Sequence, residues 1–179
     1  LISFAIAGDH TELVEKLLRL GADIKCYSFQ LLFIAALRGN QAILKLLLEH
    51  GANPRRADSR LWMASNDLSI LNLLVASGLS ANQRDYHGLA PLAYAARGDK
   101  GSHPDKLRLL LSEGAVINQA GAHDRTALHY AARAGFAEVV ELLLAAGADR
   151  RLVDEHGRTA YDDAVSKSKT DCALLLKPA

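Results

Sequence analysis

Three histidines recur at equivalent places along the chain, since His87, His123 and His156 each lie in a short polar turn segment. Histidine is a common metal ligand, so the first chemistry to consider is a zinc site. Zinc binds nitrogen at about 2.0–2.1 Å, so the ligand atoms of one ion must lie within about 4 Å of one another. Turns separated by one helical layer lie roughly 10 Å apart. We therefore expect no shared metal ion, and interpret these histidines as solvated groups or as partner contacts whose binding changes as the pH crosses about 6.5.

The chain carries no residue pattern that is typical of a catalytic centre. It has no glycine-rich nucleotide loop, no GxSxG, no HExxH and no paired CxxC. Cys26 and Cys172 have no neighbouring histidine, and they fall too far apart for a disulfide, so each is predicted to be a small buried side chain. We therefore expect no enzymatic activity and no cofactor.

The elements that must position these residues repeat along the chain. A glycine follows an apolar, helix-like run at intervals of 27 to 36 residues, at Gly21, Gly51, Gly78, Gly114 and Gly147. The runs read alike, for example ELVEKLLRLGAD, AILKLLLEHGAN and EVVELLLAAGAD. Each is predicted to be a long helix that follows a shorter one with small residues such as Ala131 and Ala132. One helix pair cannot cover its own apolar face, so the pattern predicts stacked pairs and an all-α fold.

One segment carries the pattern in full. Residues 124–149, DRTALHYAARAGFAEVVELLLAAGAD, resemble an ankyrin repeat almost position for position. Residues 85–96 resemble the start of another repeat, and residues 154–164 resemble the start of a capping repeat. The resemblance covers the whole chain and implies an ankyrin-repeat solenoid of stacked helix-turn-helix units with short hairpin loops. It also implies that Thr126 and His129 hydrogen-bond within and between hairpins.

We expect a single domain over residues 1–179, with about five repeats and a C-terminal cap. The first repeat is truncated, because Leu1 falls inside its short helix, and this predicts a fragment of a longer protein. The third repeat is degenerate, and the segment GDKGSHP predicts a longer inter-helix loop in the fourth. Gly121 and Asp124 stand where the family has Asp and Gly, so an altered turn is expected. Polar residues of the last repeat predict a solvent-facing cap: Asp162, Asp163, Lys167 and Lys169.

The resemblance implies that partner proteins bind to the hairpin tips and to the concave face of the short helices. One basic residue recurs near the end of the short helices, at Arg38, Arg97, Arg133 and Lys167. Hairpin positions add Arg84, Arg125 and Arg158. A planar guanidinium binds carboxylates through two parallel hydrogen bonds, so we predict a partner with an acidic surface. The alternative is that these arginines only keep an exposed helix end soluble.

Aromatic and branched residues recur one residue before the alanine pairs, at Phe4, Ile34, Tyr94 and Tyr130. This column favours packing between repeats, with tyrosine as a binding anchor if the groove is occupied. Tyr86 and Leu89 are contact candidates, because their hairpin is expected to bury little. Trp62 is assigned to the core, with exposure as the alternative. The predicted partner-binding residues are Arg38, Tyr86, His87, Leu89, Tyr94, Arg97, His123, Arg125, Arg133, His156 and Arg158.

Composition argues against two classes of function. The formal charge of the 179 residues is only +1, which argues against bulk binding of nucleic acid, and no apolar run reaches the 18 residues of a membrane span. We predict a non-catalytic protein–protein interaction module, an adaptor or an inhibitor, that is monomeric on its own. Two alternatives stay open: a scaffold or targeting segment of a larger protein, and an arginine-lined groove that binds an anionic ligand such as nucleic acid or lipid.

Overall fold

The computed structural model describes residues 1–98 and 101–178, apart from the side chain of Arg56. Within these residues the chain forms twelve α-helices and two 3-10 turns and no strand beyond an isolated bridge between Val153 and Thr159. The predicted all-α fold class is confirmed. The chain divides into two compact units, Leu1–Ser80 and Ala81–Ala179. The single domain with about five repeats and a cap stays a prediction.

The first unit is built from three pairs of helices. Its elements are α1 (Ile2–Ala7), α2 (Thr11–Arg19), α3 (Ser28–Arg38), α4 (Gln41–Glu49), a 3-10 turn (Pro54–Arg56), α5 (Arg60–Met63) and α6 (Leu68–Ala76). Helix α3 packs against α1, α4 and α5, and α4 packs against α2 and α6. Two of these helices begin at a side-chain cap: Oδ1 of Asn40 accepts a hydrogen bond from the amide of Ile43 at 2.9 Å before α4, and Oδ1 of Asp67 accepts one from the amide of Ser69 at 2.8 Å before α6.

The degenerate third repeat keeps only a remnant of its short helix, because α5 spans four residues. Trp62 lies in this four-residue helix. Its side chain is 1% exposed, and its Nε1 donates a hydrogen bond to the carbonyl of Ser80 at 2.9 Å. The assignment of Trp62 to the core is confirmed, and its alternative as an exposed anchor is wrong.

The second unit is built in the same way. Its elements are α7 (Pro91–Arg97), α8 (Pro104–Ser112), a 3-10 turn (Ala122–Asp124), α9 (Ala127–Ala134), α10 (Ala137–Ala145), α11 (Ala160–Ser166) and α12 (Thr170–Leu176). The short helices α7, α9 and α11 pack in one row, and α8, α10 and α12 pack in a second row behind them. Asp99 and Lys100, in the predicted longer loop, lie outside the described residues.

Small residues explain how closely the short helices pack. Ala95, Ala96, Ala131 and Ala132 are buried, and their short side chains let the helices of the first row approach closely. Gly135 ends α9 with a φ of 86°, a left-handed conformation that costs a residue without a Cβ little.

The cysteines differ: Cys172 is buried as predicted, whereas the predicted burial of Cys26 is wrong, because it lies in an exposed turn before α3. In residues 1–98 and 101–178, no helix has both the length and the apolar character needed to cross a bilayer.

Candidate functional site

Two hairpins of the second unit are held by an aspartate at their base. Oδ1 of Asp85 accepts hydrogen bonds from the amides of His87 and Leu89, both at 2.9 Å. Oδ1 of Asp154 accepts from the amides of His156 and Arg158 at 2.9 and 3.1 Å. Burial alone would raise the pKa of Asp85, but the bonds that it accepts from Tyr94 and from these amides outweigh burial and lower it.

The hairpin between these two differs, as the sequence predicted. Gly121 replaces the aspartate, and its amide donates to the carbonyl of Arg125 at 2.8 Å, so the hairpin still closes. His123 and Asp124 adopt left-handed φ angles of 60° and 55° within a 3-10 turn. This altered turn brings His123 to the edge of a cavity.

This cavity lies between two hairpins and the short helices α7 and α9. It has a volume of about 570 Å³ and contains seven of the eleven predicted contact residues. The lining residues are His87, Leu89, Tyr94, Arg97, Ala122, His123, Arg125, Tyr130, Arg133 and Ala134. Tyr86, Arg38, His156 and Arg158 do not line it. We call this site the α7–α9 cavity.

Two tyrosines form walls of the α7–α9 cavity. The hydroxyl of Tyr94 donates to Oδ2 of Asp85 at 2.5 Å, and the hydroxyl of Tyr130 donates to the carbonyl of Ala122 at 3.3 Å. Burial raises the pKa of both phenols, and in Tyr94 the bond to Asp85 adds to it. Because both hydroxyls are bonded to the hairpins, what the tyrosines offer to a ligand is half-buried ring surface. Phe4, placed in the same column by the sequence, is 80% exposed, so its predicted packing is wrong.

Two of the arginines that line the cavity lie beside buried carboxylates. Arg125 lies 3.1 Å from Oδ2 of Asp154, and Arg158 lies 2.8 Å from the same oxygen. Arg133 lies 3.6 Å from Oδ1 of Asp163. Arg97 ends α7 and is exposed. Among the described residues no acidic side chain lines the cavity, so its charged lining is entirely basic.

Asp163 corrects one expectation. The sequence placed it on a solvent-facing cap, but its side chain is fully buried between α9 and α11. When the two repeats are aligned on Thr126 and Thr159, Asp163 takes the column of Tyr130. This alignment is the signal that could have indicated its burial, because Tyr94 and Tyr130 of the same column are half-buried. The other acidic residue, Asp162, is exposed and caps α11 through Thr159.

Two contact candidates on the Asp85 hairpin have different environments. The expected exposure of Leu89 is wrong, because its side chain is 4% exposed and lies against Gly121, where a Cβ would meet its Cδ1 at 3.3 Å. Tyr86 is 74% exposed, and its ring centroid lies 3.9 Å from that of His87. Arg38 belongs to the first unit, where its Nε lies 3.5 Å from Oδ2 of Asp9. A role of these residues in partner binding stays a prediction.

Comparison with known families decides the identity of the fold. A family model described as ankyrin repeats (3 copies) matches residues 1–58 and 103–179. The chain belongs to the ankyrin repeat family. No curated protein matches it. Ankyrin repeats are generally protein–protein interaction modules and are typically non-catalytic.

The ankyrin motif TALH makes the contacts that the resemblance implied. The hydroxyl of Thr126 donates to Nδ1 of His129 at 2.9 Å, and Nε2 of His129 donates to the carbonyl of Arg158 at 3.0 Å. Nε2 therefore carries the proton of the neutral ring. His129 is buried, and this burial lowers its pKa below the ordinary value. The ring links one ankyrin hairpin to the next.

This burial predicts a pH-dependent stability. Because the folded chain binds a proton at His129 less readily than the unfolded chain, stability contributed by His129 is complete above about pH 6.5 and is lost as the pH falls below it. His129→Gln should cost about 2 kcal/mol at pH 7.5 through buried groups left without partners. The same substitution should reduce the loss of unfolding free energy between pH 7.5 and pH 5.5. Urea unfolding at both pH values measures both effects. His50→Gln, which removes an exposed imidazole, is the control; an unchanged pH dependence in His129→Gln would contradict the assignment.

Two hairpin histidines of these ankyrin repeats lie beside one carboxylate. Nδ1 of His123 lies 2.6 Å from Oε1 of Glu155, and Nε2 of His156 lies 3.5 Å from the same oxygen. No group of three or more His, Cys, Asp or Glu side chains in the described part of the chain is placed to hold a metal ion. Glu155 therefore acts as the shared partner of two neighbouring hairpin tips.

Proposed function

We propose that this ankyrin repeat chain is a protein-binding module whose α7–α9 cavity receives an acidic segment of a partner protein. The observation that carries the proposal is the cavity lining. Two bonded tyrosine rings and a set of basic side chains meet in one concavity of about 570 Å³. Tyrosine and arginine are the residue types that most often dominate binding energy at protein interfaces.

The rigidity of the site supports the proposal. Asp85 fixes both the hairpin of His87 and the hydroxyl of Tyr94, while Ala122 fixes the hydroxyl of Tyr130. A ligand that docks on side chains already held in place loses less conformational entropy on binding. The charge of the lining supports an acidic ligand, because a carboxylate in the cavity would face arginine and histidine side chains.

Selection of binding peptides tests this function. A random 12-residue peptide library displayed on phage should yield binders with Asp or Glu next to an aromatic or aliphatic residue. A synthetic copy of the strongest binder, titrated into the ¹⁵N-labelled chain, should shift the amide resonances of the cavity residues most. Selected peptides without acidic residues, or shifts confined to the first unit, would reject the proposal. A DNA oligonucleotide that binds the cavity more tightly, with a steep loss in salt, would point instead to nucleic acid.

A further inference from the structure

Asp163 is an anomaly in the interior of the second unit. Its side chain is 0% exposed, and neither carboxylate oxygen has a hydrogen-bond partner in the part of the chain that the structure describes. A buried charge without hydrogen bonds costs several kcal/mol, because its hydration is lost and not replaced. Asp163 also caps no helix, since the capping of α11 is provided by Thr159 and Asp162. Capping of α11 therefore does not explain why an aspartate is buried at this position.

The neighbouring arginines explain why the carboxylate of Asp163 is buried. Its nearest cations are Arg133 at 3.6 Å and Arg125 at 3.8 Å, and both of these arginines line the α7–α9 cavity. Arg125 shares Asp154 with Arg158. Three guanidinium groups thus meet two buried carboxylates, so the network has a formal charge of +1, whereas without Asp163 it would be +2.

We infer that Asp163 is a buried counter-ion that tunes the α7–α9 cavity to a singly charged carboxylate ligand and against a doubly charged phosphate group. The inference rests on the proposed function, since it names the anion that this site prefers. Asp163 does not line the cavity and acts through Arg133 and Arg125, so it is a positioning residue that also lowers the positive potential in the cavity. A dianion gains more from each unit of positive potential than a monoanion, so removing this carboxylate favours the dianion more.

Two small anions test the inference without a partner peptide. Acetate represents the monoanion, and sulfate represents a tetrahedral dianion with the shape of a phosphate group. Each is titrated into the ¹⁵N-labelled chain at pH 7.5 and constant ionic strength, following the arginine Nε–Hε resonances and the cavity amides. The wild-type chain should bind acetate at least as tightly as sulfate, because a dianion costs more to desolvate and a network charge of only +1 does not offset that cost. Asp163→Asn should raise the affinity for sulfate relative to acetate by about fivefold or more.

A matched variant distinguishes the effect of charge beside the cavity from the effect of the net charge of the chain. Asp171→Asn makes the same change of charge at an exposed position of α12 and should leave the ratio of the two affinities within about twofold of wild type. If Asp163→Asn does not fold, Arg133→Gln gives the mirrored result, with sulfate affinity falling more than acetate affinity. A merely structural role of Asp163 would change both affinities alike and leave their ratio unchanged.

The outcomes distinguish this inference from the proposed function. An unchanged ratio in Asp163→Asn, a wild-type preference for sulfate, or no cavity shifts with either anion overturns the role of Asp163. The display selection judges peptide binding separately. Selected acidic peptides that shift the cavity, together with an unchanged ratio, would retain the function and reject the inference. Peptides that bind elsewhere would reject the function and the inference with it.

Discussion

Replacing Asp154 with asparagine is expected to lower the free energy of unfolding of the second unit by about 3 kcal/mol. The carboxylate is completely buried and accepts hydrogen bonds from Arg125 at 3.1 Å, from Arg158 at 2.8 Å, and from the amides of His156 and Arg158. Asparagine keeps the shape of the side chain but not its charge, and it turns an NH₂ group toward groups that are themselves donors. The substitution leaves Arg158 without its buried partner and leaves Arg125 with only Asp163, at 3.8 Å. Removing one partner of a buried ion pair is strongly destabilising for this reason.

Hydrogen exchange measures this loss locally. Amides of α9 and α11 in Asp154→Asn should exchange faster by about two orders of magnitude, as a loss of 3 kcal/mol requires when exchange follows unfolding. Asp149→Asn is the matched control, since Asp149 also pairs with an arginine, Arg151 at 3.1 Å, but on the surface. Exposed pairs contribute little, so this control should change exchange only slightly. Equal effects of the two variants would show that Asp154 is no more important than a surface pair.

Asp154 also gives the second unit an acid-sensitive stability. Burial alone would raise its pKa, but the hydrogen bonds from Arg158, from two backbone amides and from Arg125 outweigh burial and hold the pKa well below the ordinary carboxyl value. Because the unfolded chain then takes up this proton more readily, the stability is present above the ordinary carboxyl range, near pH 4, and is lost as the pH falls below it. Asp154→Asn should therefore flatten the acid limb of the stability profile between about pH 4 and 2.

The positions of the cavity residues followed from the repeat. His87 and His123, or Arg97 and Arg133, are predicted together because equivalent residues of stacked ankyrin repeats lie next to one another. Seven of the predicted contact residues meet in one cavity for this reason. Periodicity alone supports this inference, since it needs only the order of the repeats and no information on individual side chains.

The partners of the charges did not follow from the repeat. Arg125 and Arg133 look like solvated groups in the sequence, because nothing in a single repeat shows that carboxylates of the next one lie within 4 Å of them. Leu89 looks exposed for a similar reason, since its burial depends on Gly121 in the adjacent hairpin. These features arise from contacts between repeats, and a pattern read along one repeat contains no direct signal of them.

Combining Arg97→Glu with Arg133→Gln should weaken binding of the selected acidic peptide about 100-fold, from losses of about 1.4 kcal/mol or more at each position. Glutamine is chosen at Arg133 because a glutamate there would lie beside buried Asp163, 3.6 Å from the present guanidinium, and would destabilise the fold by repulsion. Arg97 ends α7 at an exposed position, where a glutamate side chain remains in contact with water. The double variant should also flatten the salt dependence of the remaining binding, since fewer cations then face the peptide.

The matched control removes the same total charge outside the cavity. Arg151→Glu with Arg108→Gln changes two exposed arginines of the same unit, and neither lines the cavity. If only the overall charge of the chain attracted acidic peptides, both double variants would weaken binding alike. If the cavity holds the carboxylate, only the cavity variant should bind the peptide about 100-fold more weakly. A charge pair in contact contributes far more than one separated by more than a Debye length of about 8 Å. Isothermal titration at two salt concentrations, with circular dichroism as the test of folding, decides between these two cases.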